Sequence, residues 1–302
     1  MLQRFDERNR DLIVNIDGQL VHRDQARISP FDSAVQGGDA VWEGLRLYDG
    51  RIFRLTAHLD RLRSSALALA FDAIPSHEAI THEIARTLEA NRMRDDVHIR
   101  LTLTRGEKIT SGMDPRLNQA GPTLIVLAEW KPPVYDRAGV RLITSGMRRF
   151  APDMLDPKIH HANLLQSILA KIQANAAGVD DALMLDAHGF VAETNATHVF
   201  LREPGGALVT PSTRACPEGI TRATVLELCA RAGIPARERD DVSLTDVYRA
   251  TEMFCTGTMG ELAPVVEVDG RRIGDGAAGE LTRRLSELYA AEVRASGERV
   301  VD

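Results

Sequence analysis

An amine that can act as a nucleophile and then move protons is scarce in this chain, whose 302 residues include four lysines: Lys108, Lys131, Lys158 and Lys171. A lysine amine that condenses with a carbonyl opens the Schiff-base route to amino-group transfer. Lys108 lies in the polar turn Gly106-Glu107-Lys108, Lys131 opens a proline segment, and Lys171 falls in mid-helix. A mid-helix lysine ordinarily packs its stem along the surface and keeps its head in water. Lys158 sits in a connection between a strand and a helix, held by the scaffold yet able to reach a cleft. Position alone does not separate it from a surface lysine. Arg46, Arg100 and Arg105 offer planar guanidinium groups that suit a carboxylate. Arg100 shares a strand face with His98, Thr102 and Thr104, which is either a polar cleft lining or a solvated sheet face. Gly219-Ile220-Thr221 at a helix start would present backbone N–H groups to an anion, although glycine there also suits a plain turn. His160 and His161 are adjacent, would point apart in a strand, and have no third ligand spaced to complete a metal site.

Hydrophobic periodicity supplies the elements that must position these groups. Four Asp-Gly pairs begin at Asp17, Asp49, Asp269 and Asp275, and the first three lie between β-favouring runs, as tight hairpins require. Strands are expected at 12–16, 19–22, 45–48 and 51–53, then helices at about 56–70 and 76–90. A strand at 98–105 alternates apolar and polar residues, and 123–129 is nearly all apolar and expected to be buried. Lys131-Pro132-Pro133-Val134-Tyr135 stiffens the chain and disfavours a helix running into it, which marks a domain boundary. A strand at 140–145 follows, and then a helix at about 164–177 expected to turn Leu165, Ile168, Leu169 and Ile172 inward. Next come a hairpin of 182–186 with 190–194, strands near 198–201 and 207–210, and a helix from about Gly219. Ser243 and Asp246 have capping-box spacing. A strand at 253–256, the Asp269 hairpin and a long helix to about Ser296 complete the pattern.

The length favours two domains over one. With 44% hydrophobic and 26% charged residues, the composition is that of an ordinary soluble globular protein. A net charge of −6 without a basic block gives no electrostatic reason to expect nucleic acid or an anionic membrane. No apolar run approaches the ~20 residues of a membrane span, and the charged N-terminus lacks a signal-peptide pattern. Cys216, Cys229 and Cys255 are odd in number and lie in no metal-ligand spacing, which predicts a reducing, cytoplasmic setting.

The segment from Lys158 through Asn163 to Lys171 resembles the lysine segment of the class IV aminotransferases, the fold-type IV pyridoxal-phosphate enzymes. The resemblance runs in order through residues 182–195, Gly219-Ile-Thr-Arg222 and Glu252–Thr258, and upstream takes in Val41-Trp-Glu-Gly-Leu-Arg46 and His58–Ala66. It implies a two-domain α+β or α/β fold: a small α/β domain at 1–131, a linker at 132–138, and a cofactor domain at 139–302 with a β-barrel-like sheet core and flanking helices. It further implies pyridoxal 5'-phosphate as cofactor, with Lys158 as the Schiff-base lysine and proton carrier. Glu193 would face the pyridine nitrogen. Arg61, Gly219, Ile220, Thr221 and Thr258 would hold the phosphate, Thr256 being a substitute for Thr258. Asn163 would open the helix beside the cofactor, and Arg46, Arg100, Arg105, Met259 and Gly260 would face the substrate. Family members place the lysine three or four residues before that asparagine. Here the gap is five, a longer loop if Lys158 is in place, whereas a three-residue gap puts His160 there in a lysine-free variant. The Trp-Glu-Gly-Leu-Arg46 motif is similar to branched-chain enzymes, while Thr-Arg105-Gly and Leu164 are similar to D-amino-acid aminotransferases. The implied activity is ping-pong transfer between a branched-chain L-amino acid and 2-oxoglutarate in a homodimer. Alternatives are a D-amino-acid aminotransferase, 4-amino-4-deoxychorismate lyase and a non-catalytic cofactor-binding protein; a metal hydrolase on His160 and His161 is the weakest.

Overall fold

Three of the four Asp-Gly pairs make the turns their chemistry favours. Asp17 and Gly18 have φ of 52° and 80°, Asp49 and Gly50 of 46° and 72°, and Asp269 and Gly270 of 53° and 72°. Such paired positive values are what a two-residue hairpin turn demands. The computed structural model describes residues 3–135 and 138–302. Asp136 and Arg137 of the expected linker lie outside the described residues, as do Met1 and Leu2. The chain forms two compact units, one of residues 3–132, 159–163 and 293–302, the other of 133–158 and 164–292.

The first unit contains β1 (Ile13–Ile16), β2 (Gln19–His22), α1 (Ser33–Gly37), β3 (Ala40–Tyr48), β4 (Arg51–Ile52), α2 (Leu55–Ala68), α3 (His77–Ala90), β5 (Val97–Thr104) and β6 (Thr123–Trp130). Helix α3 follows from its sequence: Ser76 Oγ accepts from the Ala79 N–H at 3.2 Å, and Ile80, Ile84 and Leu88 are fully buried. With Leu45, Leu59, Leu62, Ile99 and Leu101 they form one core, where each large side chain contributes roughly 1.5–3 kcal/mol. The expectation for 123–129 needs correction. β6 alternates, with Leu124, Val126 and Ala128 buried and Ile125 and Leu127 half-exposed, because only one sheet face meets this core.

The second unit contains β7 (Val140–Arg148), α4 (Leu165–Ala176), β8 (Asp181–Leu185), β9 (Val191–Thr194), β10 (His198–Arg202), β11 (Leu208–Pro211), α5 (Ile220–Arg231), β12 (Ala236–Arg239), α6 (Leu244–Arg249), β13 (Glu252–Gly257), β14 (Glu261–Val268) and β15 (Arg271–Arg272). Its sheet runs β12-β11-β10-β13-β14-β7-β8-β9, with β15 paired to β14. The capping box of Ser243 and Asp246 is present at α6. Helix α7 (Glu280–Ser296) follows, and then β16 (Glu298–Arg299) pairs with β4. The first unit's sheet thereby reads β16-β4-β3-β5-β6-β1-β2. The helical face expected to point inward from α4 points outward: Leu165, Ile168, Leu169 and Ile172 are 46–65% exposed. Ala170 and Ala174 are buried instead, packed with Ala182 and Met184. Small side chains let the helix approach the sheet closely, so the alanine face wins over the bulkier stripe.

Candidate active site

Two groupings of polar side chains stand out, one in each unit. In the first unit, β3 is buried along most of its length, and Glu43 within it is fully buried. A carboxylate there requires partners. Arg61 on α2 gives it two hydrogen bonds, Nε to Oε1 and Nη2 to Oε2, both 2.7 Å. His58 Nδ1 lies 2.6 Å from Oε2, and His160 Nδ1 lies 3.2 Å from Oε1. Burial alone would raise the Glu43 carboxyl, but the charges and hydrogen bonds of Arg61 and His160 hold it well below the usual carboxylate range. The His160 ring stacks on Trp42 at 4.3 Å between centroids, and the Arg100 guanidinium lies 3.5 Å from the centroid of the Trp42 ring system. Burial, opposed by Glu43, lowers the Arg100 pKa to about 10.

In the second unit, Glu193 on β9 is buried, 3.0 Å from Arg149 Nε and 3.9 Å from His198 Nε2. Gly219 begins α5 without a side-chain cap. A Cβ at Gly219 would stand 2.4 Å from His198 Cε1, so only glycine fits against that ring. Lys158 is 53% exposed, with Nζ 3.3 Å from Glu218 Oε1, and Glu218 directly precedes Gly219. Thr221 is buried and Thr258 half-buried just after β13. Thr256 Oγ1 is buried without a hydrogen-bond partner. The Met259 carbonyl accepts from the Val134 N–H at 3.1 Å, and a Cβ at Gly260 would strike the Tyr135 ring.

The structure thus groups Lys158, Glu193, Gly219, Ile220, Thr221, Thr258, Met259 and Gly260 in one unit, and Arg46, Arg61, Arg100, Arg105 and Asn163 in the other. Asn163 is exposed and precedes the helix; Leu164 is the N-cap of α4. Arg105 is engaged by Asp39 at 2.6 Å and by the Leu69 and Ala70 carbonyls. Buried Arg46 donates to the Lys131 carbonyl at 3.0 Å and pairs with Asp96. The polar face of β5 is no solvated surface, since His98 and Thr104 are buried. Burial, with Lys131, Arg100 and Arg46 adding, lowers the His98 pKa to about 3. Sequence reasoning missed Glu43, Trp42, His198 and Glu218. The signal for Glu43 was a lone acid inside an apolar β-run. Among the described residues no group of three or more His, Cys, Asp or Glu could hold a metal ion, and no helix is long and apolar enough to cross a membrane.

Comparison with known proteins gives these groupings a context. The family model described as amino-transferase class IV matches residues 40–268. Branched-chain-amino-acid aminotransferase-like protein 2 of Arabidopsis thaliana is 54% identical over 290 residues, covering 96% of this chain and 52% of its own length. The chain therefore spans about half the length of that relative. A putative branched-chain-amino-acid aminotransferase of Methanocaldococcus jannaschii is 40% identical over 276 residues, covering 91% of this chain and 94% of its own. Among solved structures, the branched-chain amino acid aminotransferase from Thermobaculum terrenum in PLP-form (holo-form) is similar with a TM-score of 0.83 and 27% identity, covering 94% of this chain and 94% of that one.

Proposed function

Because the chain belongs to the class IV aminotransferases, we propose that it is a pyridoxal-phosphate-dependent enzyme moving an amino group between a branched-chain L-amino acid and 2-oxoglutarate. The observation that carries this reading is the second unit's grouping: a buried carboxylate at Glu193, an uncapped helix start at Gly219, and the Lys158 amine held beside that start through Glu218. These residues fit the cofactor. The unpartnered Thr256 hydroxyl and the start of α5, which has no side-chain cap, suit an anion, and Glu193 suits a protonated ring nitrogen.

When bound, pyridoxal phosphate supplies an aldehyde for the amine and a ring that accepts electrons. Lys158 would supply the amine that anchors the cofactor, and Glu193 would face its ring nitrogen and favour a proton there. The Gly219, Ile220 and Thr221 amides and Thr258 would hold the phosphate, whereas Arg61 and Asn163, which the resemblance also puts there, lie in the first unit, where Glu43 takes the Arg61 guanidinium. Of the three arginines considered for the substrate carboxylate, Arg100 is assigned, since Arg46 and Arg105 already have partners. Met259 and Gly260 line the substrate side, and residues 132–138 link a small domain to a cofactor domain. The buried free thiols support a reducing, cytoplasmic setting.

The test is the purified chain with cofactor, a panel of amino acids and 2-oxoglutarate. Leucine, isoleucine and valine are expected to form glutamate with ping-pong kinetics. Preference for D-amino acids, pyruvate release without an aminated acceptor, or no cofactor absorbance would each reject this reading.

The outward stripe of α4 supports the homodimer. Monomers rarely expose a contiguous apolar patch on a helix without covering it, and a second copy offers the same stripe in return. Changing Ile168 and Leu169 together to aspartate is expected to weaken the dimer by about 100-fold or more, read as a monomeric mass by light scattering. An unchanged mass would remove α4 from the interface.

A further inference from the structure

In the second unit, the turn that joins β13 to β14 is held from outside its own strands. Gly257 pairs with Glu261, so Thr258, Met259 and Gly260 form the loop between them, and the Gly260 N–H donates to the Gly257 carbonyl at 3.2 Å. Glu261 has a φ of 52°, a left-handed backbone that strains a residue with a Cβ. Local preference alone therefore does not fix this turn. The Val134 N–H donates to the Met259 carbonyl at 3.1 Å. The Tyr135 ring fills the space over Gly260, where a Cβ would stand 2.4 Å from Cδ2. Gly260 has no positive φ, so the close approach of the ring is what excludes a side chain there.

The phenol is anchored in turn. Tyr135 Oη donates to Asp181 Oδ2 at 2.5 Å. Asp181 is buried on β8, and its Oδ1 accepts from Asn195 Nδ2 at 3.2 Å and lies 3.1 Å from Lys171 Nζ. Burial pushes the Tyr135 hydroxyl well above the ordinary phenol value, and the Asp181 charge adds to this. The hydroxyl therefore keeps its proton and remains a donor. Asn195 also accepts the Ala182 N–H at 2.7 Å, which ties the anchor to the end of the strand that carries Glu193.

We propose that Tyr135 is a positioning residue for the loop Thr258–Gly260, which its ring and the Val134 N–H clamp while Asp181 anchors its hydroxyl. Thr258 and the Met259–Gly260 backbone are thereby set for phosphate and substrate before either binds. This deepens the aminotransferase reading and rests on its assignment of those three residues. The phenol acts through the loop rather than by touching the reacting atoms. A loop ordered in advance meets its conformational cost on folding instead of on binding. Loosening it should therefore weaken substrate binding and leave the chemical step nearly unchanged.

Tyr135→Phe tests the assignment, because it keeps a ring over Gly260 and removes only the anchor, while Asp181 retains Lys171 and Asn195. In the full chain without cofactor, hydrogen exchange read by mass spectrometry is expected to be about 10-fold faster in peptides spanning 257–261, with β10 and β11 unchanged. In the holoenzyme, the leucine KM is expected to rise by about 10-fold and kcat to change by less than about threefold. Unchanged exchange in the turn overturns the proposal. Faster exchange throughout the second unit does so too, since it marks a merely structural tyrosine. A parental leucine KM, or a loss confined to kcat, also overturns it, while leaving the aminotransferase reading intact. A parent chain that takes up no cofactor instead removes the reading on which the proposal rests, and the proposal with it.

Discussion

Replacing Lys158 by alanine is expected to abolish the cofactor label fixed by borohydride and to slow amino transfer by about 1,000-fold. The amine is reachable without a large penalty. Its partner Glu218 lies 3.3 Å away, and the two side chains are 53% and 66% exposed. An ion pair that open to water stabilises by about 1 kcal/mol at most, so Nζ can leave Glu218 for a carbonyl. For the same reason Lys158→Ala should fold like the parent, within about 0.5 kcal/mol, and the lost label reports chemistry rather than unfolding. The other lysines are engaged differently: Lys171 pairs with Asp181 at 3.1 Å, and Lys108 bonds the Gly112 carbonyl. Peptide mapping after borohydride reduction decides the matter. Label on another lysine, or label that survives Lys158→Ala, sinks the assignment. Cofactor bound with no label at all would mean that a five-residue gap before Asn163 leaves the chain without a covalent anchor.

A second large effect is expected at Glu43, this time on stability. Its carboxylate is fully buried and accepts both Arg61 hydrogen bonds. In Glu43→Gln an amide NH₂ faces guanidinium N–H groups, and the Arg61 charge loses its counter-charge. Breaking such a buried pair costs about 3–5 kcal/mol, measurable by urea unfolding at pH 7. The pH dependence follows from the lowered carboxyl pKa. Stability from Glu43 is fully present above the unfolded carboxyl value of about 4.3 and is lost as pH falls through the lower folded value. The gap between parent and variant should therefore be widest above about pH 5 and narrow in acid. His160, whose value burial lowers against the opposing pull of Glu43, adds a slope of the same sign below the ordinary histidine value. An equal gap at pH 7 and pH 3 would remove the charge argument.

What could be read in advance divides along physical lines. Local chemistry was legible. Asp17-Gly18 needed only its own φ preferences, Ser76 and Ser243 only their own hydroxyls, and α3 only its four-residue spacing. The ordered motifs around Lys158, Glu193 and Gly219 were legible as a resemblance, and the family match rests on the same stretch of chain. What failed depended on partners far along the sequence. The apolar stripe of α4 has the period of a buried face, and nothing local reveals that Ala170 and Ala174 pack more closely on the sheet. Glu43 looks like any acid until Arg61, His58 and His160 converge on it. The Arg105 motif read as substrate chemistry, yet Asp39 and two carbonyls occupy its guanidinium. Strands β12 and β16 were missed because short charged segments become strands only when an edge is waiting for them.

The pairing of β16 with β4 also sets an order of events. The Arg51 side chain bonds the Gly297 carbonyl across 246 residues, and closing a loop that long costs about 5 kcal/mol of chain entropy. During synthesis the first unit must wait for nearly the whole second unit to emerge before this edge can be sealed. Until then β4 is an open edge, with its pairing groups available to any other strand. In the finished protein the same edge should be among the first parts of that sheet to open, so amide protection at residues 51–52 and 298–299 should fall together, as one unit, ahead of the β3–β5–β6 centre.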